Sequence, residues 1–245
     1  MWKALFILCL MAMPGPVLAL PRVVSLSLCA DPWLLAMAGR GQVVALSSLA
    51  RDARYSPIAR EAAALPAVPA DMEAVLPLKP DLVILDGFGQ QALAHGLKKA
   101  GIRSFRMPMP ETAEDVAQLA KVLGGAIGQQ SRGEALAAGW RAAWQVPAQK
   151  PMPAWLVQEG GHAGMPGWLG DVLQHHGYDA VPAADDAEAL LREPKALLRI
   201  AYGDDASMAR QALMHPALKH LQPVGIDGAQ VLCPHPGMMQ EGWKP

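Results

Sequence analysis

Short apolar runs separated by amphipathic stretches set the rhythm of the chain. Arg22–Leu28 (RVVSLSL), Gln42–Leu46 (QVVAL), Asp81–Leu85 (DLVIL) and Ile102–Met107 are brief and rich in Val, Ile and Leu, the pattern of strands buried on both faces. Between them, Asp31–Ala38, Asp71–Leu76 and Gln90–Ala100 carry apolar residues at helical spacing, and Pro77 and Pro80 stop the second of these. Glu111–Leu123 reads as a helix that fails at Gly124-Gly125. Gln129–Gln145 reads as another, with Leu136, Trp140 and Trp144 on one stripe. At about 1.5 Å per residue that helix reaches roughly 25 Å, enough to join two lobes, before Pro147, Pro151 and Pro153 end it. The pattern then restarts with a strand at Ala154–Gln158, a glycine-rich loop at Gly160–Gly164 and a helix at Trp168–His176. Asp185–Arg192 is predicted helical, Ala196–Ala201 a strand, Ser207–Met214 a helix, and Pro223–Ile226 and Gln230–Leu232 short final strands. Strands alternating with helices predict an α/β fold. Two Rossmann-like lobes with mostly parallel sheets are expected, residues 20–128 and 147–245, joined by a single long helix over 129–146.

Residues 1–19 stand apart. Lys3 precedes an apolar run from Ala4 to Met13, and small residues lead up to Val17-Leu18-Ala19, the form of a secretory signal peptide. The run is too short to span a bilayer, which needs about 20 apolar residues, so the mature protein is expected to be soluble outside the cytoplasm. Cys9 lies inside the run, away from the cleavage boundary, which argues against lipidation. Twenty-one basic residues against 22 acidic ones, with no basic stripe, argue against a nucleic-acid partner. Two cysteines, Cys29 and Cys233, lie beyond the signal. In an oxidising compartment they can close a disulfide between the two ends of the chain, and two separate buried thiols fit the sequence as well.

Several ordered segments carry a family resemblance. RVVSLSLCAD at 22–31, LKPDLVIL at 78–85 and LKKAGIRSFRM at 97–107 come from the first half. QEGGHAGMPGWLGDVLQHHG at 158–177, AEALLREPKALLRI at 187–200, and HPALKHL with VLCPHPG at 215–237 come from the second. Together they resemble the class III, helical-backbone substrate-binding proteins of ABC importers, the group that includes periplasmic vitamin B12 and iron-siderophore binders. The resemblance narrows the location to the periplasm. It implies a monomer that captures a metal chelate between its lobes, with a small hinge motion, and delivers it to the transmembrane subunits of an ABC transporter. It also implies that one carboxylate on each lobe, Glu73 and Glu188, docks on arginines of those subunits. Both residues begin equivalent helices. The bland alternative is an acidic residue in a first helical turn.

Ligands of open parallel sheets sit outside the carboxyl ends of the strands. In the first lobe this makes Cys29, Asp31, Trp33, Ser47, Gly87, Phe88 and Met107 candidate ligand contacts. In the second it makes Gly161, His162, Trp168, Tyr202 and His235 candidates. Trp33, Trp168 and Phe88 offer stacking faces for a flat macrocycle, and each is also an ordinary core residue type. The glycines around His162 let a backbone approach a ligand, but no Lys-Ser/Thr follows them as a phosphate loop requires. Only His162 and His235 fall in cleft loops, too few for a bare divalent cation, so no metal site is assigned. Axial contact from His162 to a chelated iron or cobalt stays open. Met107, Met109, Met238 and Met239 read as packing. Arg51, Arg54 and Arg106 are the only cations near first-lobe loops, which favours a corrinoid or other macrocycle over a triply charged siderophore. No covalent cofactor is expected, and the cargo is a cobalt or iron chelate. The absence of a G-x-S-x-G elbow argues against a secreted hydrolase. A sensor or adaptor of the same fold and a direct divalent-metal binder remain as alternatives.

Overall fold

The computed structural model describes residues 19–144, 150–158, 167–182, 194–202 and 219–240. The expected signal peptide up to residue 18, the glycine-rich segment with Gly161 and His162, and the helices expected around Glu188 and at Ser207–Met214 lie outside them.

The first sheet consists of β1 (Val23–Ser25), β2 (Val43–Ser47), β3 (Ala67–Val68), β4 (Leu82–Leu85) and β5 (Arg103–Arg106). Its order is β3-β2-β1-β4-β5, and every pairing is parallel. The alternation of side chains along a strand splits its apolar residues between two cores. Val23, Val43, Leu82 and Ile84 face one core, shared with α1 (Asp31–Met37), α5 (Ala113–Ala126) and α6 (Gln130–Ala143). Val24, Ala45, Val83 and Leu85 face the other, shared with α3 (Met72–Val75) and α4 (Gln91–Lys99). β5 is an edge strand whose two arginines are exposed, the charged edge that discourages pairing with another chain. The short α2 (Ala59–Ala62) and β3 carry too few residues to show a period, and sequence patterning missed both.

The second sheet has β6 (Met152–Gln158), β7 (Tyr178–Pro182), β8 (Ala196–Ala201) and β9 (Gln222–Asp227) in the order β7-β6-β8-β9, again all parallel. α7 (Gly167–His175) connects β6 towards β7 and buries Trp168, Leu169, Val172 and Leu173. Two expectations change here. β7 was not anticipated, because its partly buried YDAVP lacks a continuous apolar run. The strand expected at Gln230–Leu232 is instead part of a helix, α8 (Gly228–Val231), because the Asp227 side chain accepts from the Ala229 amide at 3.0 Å and caps it.

α5 and α6 lie between the two sheets as an antiparallel pair. α5 starts on a capping box in which the Thr112 hydroxyl accepts from the Asp115 amide at 3.1 Å and the Asp115 carboxylate accepts from the Thr112 amide at 2.9 Å. It does not fail at Gly124-Gly125 but runs on to Ala126. Gly124 serves the crossing instead: a Cβ there would lie 2.8 Å from the Cα of Gly133 in α6, so the two glycines let the helix backbones touch. Arg141 near the end of α6 pairs with Glu114 at the start of α5. The 14 residues of α6 stretch about 21 Å, shorter than expected from the sequence.

Among the described residues, the first of these cores continues from the first sheet into the second half. It includes Trp33, Leu119, Leu123 and Trp140 and continues to Trp168, Leu198, Ile226 and Met238 of the second half. Along it the ring of Trp140 stands 5.9 Å from Trp33 of α1 and 5.4 Å from Trp144, which in turn meets His175 of α7 at 5.2 Å. An interface this apolar opposes free motion of the two sheets. Among the described residues no helix is long and apolar enough to cross a membrane.

Candidate ligand cleft

In each sheet the chain starts at an inner strand and winds outwards in both directions. The crevice of the first sheet therefore opens between the carboxyl ends of β1 and β4, and that of the second between β6 and β8. Those ends are brought together. Cys29, after β1, forms a disulfide with Cys233, after α8, with a Cα–Cα distance of 5.3 Å. Beside it the Trp33 indole donates to the Pro234 carbonyl at 2.7 Å. Further out, the ring of Tyr55, in the loop after β2, faces that of Tyr202, after β8, at 6.1 Å and 32°. The Arg54 guanidinium sits over the Tyr55 ring at 5.3 Å and pairs with Asp52 at 2.6 Å. Tyr55 was not singled out in the sequence because its loop, ARDARYSPIA, has no periodicity. Its position after a strand is the only signal that points to it.

Several candidates prove to be floor or core instead of cleft wall. Trp33 is fully buried, held by Pro234 and Trp140, so it has no free face for a ligand. Trp168 is buried because it lies on the inward stripe of α7, and Met107 because its amide continues the ladder to the Leu85 carbonyl. Cys29 is consumed by the disulfide. Asp31 and Ser47 are buried against each other, with the Ser47 hydroxyl donating to the Asp31 carboxylate at 2.6 Å. His235 is buried too, and its Nε2 donates to the Gln230 carbonyl at 3.1 Å. Gly87, Phe88 and Tyr202 keep exposed surface at strand ends. The Met109 side chain, read from sequence as packing, is exposed.

A hollow of about 530 Å³ opens beside the disulfide, lined among others by Pro32, Pro57, Ile58, Glu61, Leu136 and His235. Another, of about 610 Å³ and lined by His95, Lys98 and Arg103, lies at the amino end of β5, the wrong end of a parallel sheet for a ligand. Among the described residues no three His, Cys, Asp or Glu side chains gather as a metal site would require.

The two buried ionisable groups flanking the disulfide respond to pH in opposite senses. Burial pushes the Asp31 carboxyl up to about 6; hydroxyls of Ser25 and Ser47 counter this, and the Asp86 charge adds to it. Burial pushes His235 down to about 4, offset in part by its bond to the Gln230 carbonyl. Folded Asp31 keeps its proton where the unfolded chain has lost it, so its contribution to stability falls as pH climbs from about 4 to about 6. Folded His235 stays neutral where the unfolded chain is charged, so its contribution is full above about 6.5 and is lost as pH falls towards 4. The wild-type profile is therefore expected to be nearly level across this window. Asp31→Asn should expose a rise in stability with pH and His235→Gln a fall, each by up to roughly 3 kcal/mol. Denaturant melts from about pH 4 to 6.5 check this, and slopes of the same sign in both variants would contradict it.

The family model described as "Periplasmic binding protein" matches residues 23–190. No curated protein matches the sequence. Among solved structures, a periplasmic heme binding protein from Pseudomonas aeruginosa is 22% identical, with 86% of each chain covered and a TM-score of 0.63. The periplasmic vitamin B12 binding protein of Vibrio cholerae is 18% identical, over 89% of this chain and 92% of that one, with a TM-score of 0.59. A periplasmic binding protein from Veillonella parvula is 13% identical, over 91% and 89%, with a TM-score of 0.68. These likenesses extend the shared two-lobe α/β fold across both sheets. With its family model matched over well over half of its length, the chain belongs to the periplasmic binding protein family.

Proposed function

We propose that this protein captures a metal chelate between its two lobes in the periplasm and delivers it to an ABC importer, after loss of residues 1–19 as a signal peptide. The observation that carries this reading is the facing of the two sheets' carboxyl ends, with Tyr55 and Tyr202 opposed across the gap and the disulfide beneath. Capture requires no bond-making by the protein: burying the ligand's apolar surface between preformed walls supplies the affinity. The solved relatives named for heme and vitamin B12 support a metal chelate as cargo.

Between chelates, the wall chemistry favours a flat macrocycle, a corrinoid or haem, over an iron–siderophore complex. Tyr55, Tyr202 and Phe88 offer aromatic faces. The three nearby arginines are turned to their own lobe. Arg51 donates to the Ala62 and Leu65 carbonyls, Arg54 pairs with Asp52, and Arg106 donates to the Asp86 and Gly89 carbonyls. A triply charged siderophore needs such cations presented to it. In this reading residues 20–128 and 147–245 are the lobes, and α6 is the core of the linker between them. Gly161 and His162 complete the second wall, and Glu73, exposed in the first turn of α3, docks on the permease together with Glu188. Complementary charges of that kind set orientation and association rate more than affinity.

Tryptophan-fluorescence titration of the mature protein tests the reading. The panel is cyanocobalamin, haemin, ferric hydroxamate and catecholate complexes, and free Zn²⁺, Mn²⁺ and Cu⁺. One-to-one saturation by a chelate is expected. Saturation by a free cation alone, or by nothing on the panel, would contradict chelate capture, and the latter would favour a sensor or adaptor.

A further inference from the structure

Phe88 is 73% exposed and Met109 is 57% exposed, and they follow neighbouring strands, β4 and β5, at their ligand ends. Single exposed apolar side chains are ordinary. What sets these apart is the scaffold that holds them in solvent. The Gln90 side chain accepts from the Asp86 amide at 3.0 Å and donates to the Leu26 carbonyl at 3.2 Å. From β5, Arg106 Nη1 donates to the carbonyls of Asp86 at 2.8 Å and Gly89 at 2.9 Å. Gly89 and Gln90 both adopt positive φ, 65° and 55°, which closes the turn right after Phe88. The loop is thus tied to β1 and β5 while its one large apolar side chain stays outside.

Gly87 explains where Met109 rests. Its backbone is not among those with positive φ, so conformation does not demand glycine there. Space does: a Cβ at Gly87 would stand 2.6 Å from the Met109 sulfur, 2.7 Å from its Cγ and 3.1 Å from the Met107 carbonyl oxygen. The methionine lies across the bare glycine that precedes Phe88 in the chain. A thioether side chain is flexible and polarizable and packs well on π-faces.

We infer that Phe88 and Met109 form an apolar lip that packs on the flat face of a macrocyclic chelate, a corrin or a porphyrin, with Gly87 as the seat that positions Met109. Arg106 acts through the loop as its clamp. The inference rests on the capture reading and adds to it the residues that select the ligand face. It accounts for an apolar pair kept in water by a rigid loop, at the strand ends where a ligand arrives.

Equilibrium dialysis of the mature protein against cyanocobalamin, haemin and a ferric tris-catecholate is the test, with thermal melts confirming that each variant folds. For the macrocycle that the wild type binds, Phe88→Ala should weaken binding about tenfold. Met109→Ala should weaken it several-fold, and Met109→Leu, which keeps the volume, should not. Gly87→Ala should cost as much as Met109→Ala, and the double variant no more than either, because both changes remove one contact. Macrocycle binding that is unchanged in Phe88→Ala and Met109→Ala would overturn the lip while leaving capture intact. So would a wild type that binds only the tris-catecholate, or losses that add in the double variant. Failure of the wild type to bind any chelate would overturn capture itself, and the lip with it.

Discussion

Replacing both Cys29 and Cys233 by alanine is expected to lower the free energy of unfolding by about 3 to 5 kcal/mol. The bridge joins residues 204 apart in sequence, and the entropy that a cross-link removes from the unfolded chain grows with the loop it closes. Its position matters as much as its length. It ties the exit of β1 to the segment after α8, so the two sheets share a covalent link at the base of the cleft. Denaturant melts of the double variant, and of the wild type with and without a thiol reductant, measure the effect. The two reduced or bridge-free forms should agree, with lower midpoints than the oxidised protein. Midpoints within error of the oxidised protein would show that the α5–α6 layer and the shared core hold the halves together without the bridge.

Truncation of the tryptophan pair should be as damaging. Trp33 and Trp140 are fully buried and touch each other where α1 meets α6, so either change to alanine is expected to cost about 3 to 5 kcal/mol. Conversion to phenylalanine separates two roles that the alanine variants merge. The Trp33 indole donates to the buried Pro234 carbonyl, and removing it leaves that oxygen without its donor, at about 1 to 3 kcal/mol. The Trp140 indole nitrogen is buried with no hydrogen-bond partner among the described residues, so Trp140→Phe removes an unsatisfied polar group along with some volume. Trp33→Phe should therefore be the more destabilising of the two, although the chemical change is identical. Equal losses, or the reverse order, would show that packing volume alone governs this contact.

The architecture was legible wherever a segment carried its own period. DLVIL and ALLRIA form β4 and β8 within a residue or two of their expected bounds, because strands buried on both faces leave a continuous apolar run. Glycine was ambiguous. Gly124-Gly125 reads as a helix stop, and only the neighbouring helix reveals that Gly124 is there for close approach to Gly133. The tryptophans were ambiguous for a related reason: residue type signals a ligand face and a core anchor equally, and burial alone separates them. Trp33 and Trp168 went to the core, while Phe88 stayed in solvent. Tyr55 and the seat of Met109 on Gly87 were illegible, since both depend on loop conformations that no local period encodes.

In the proposed capture, the chelate binds where the carboxyl ends of the two sheets face each other. Hydrogen exchange of the mature protein, free and saturated with the chelate that titrates, tests that location directly. Slowed exchange is expected in the loop after β2 around Tyr55, in Asp86–Gln90 and around Tyr202, with no change at the amino end of β5 near His95 and Arg103. Protection confined to that opposite end, with the Tyr55 and Asp86–Gln90 loops unaffected, would contradict it.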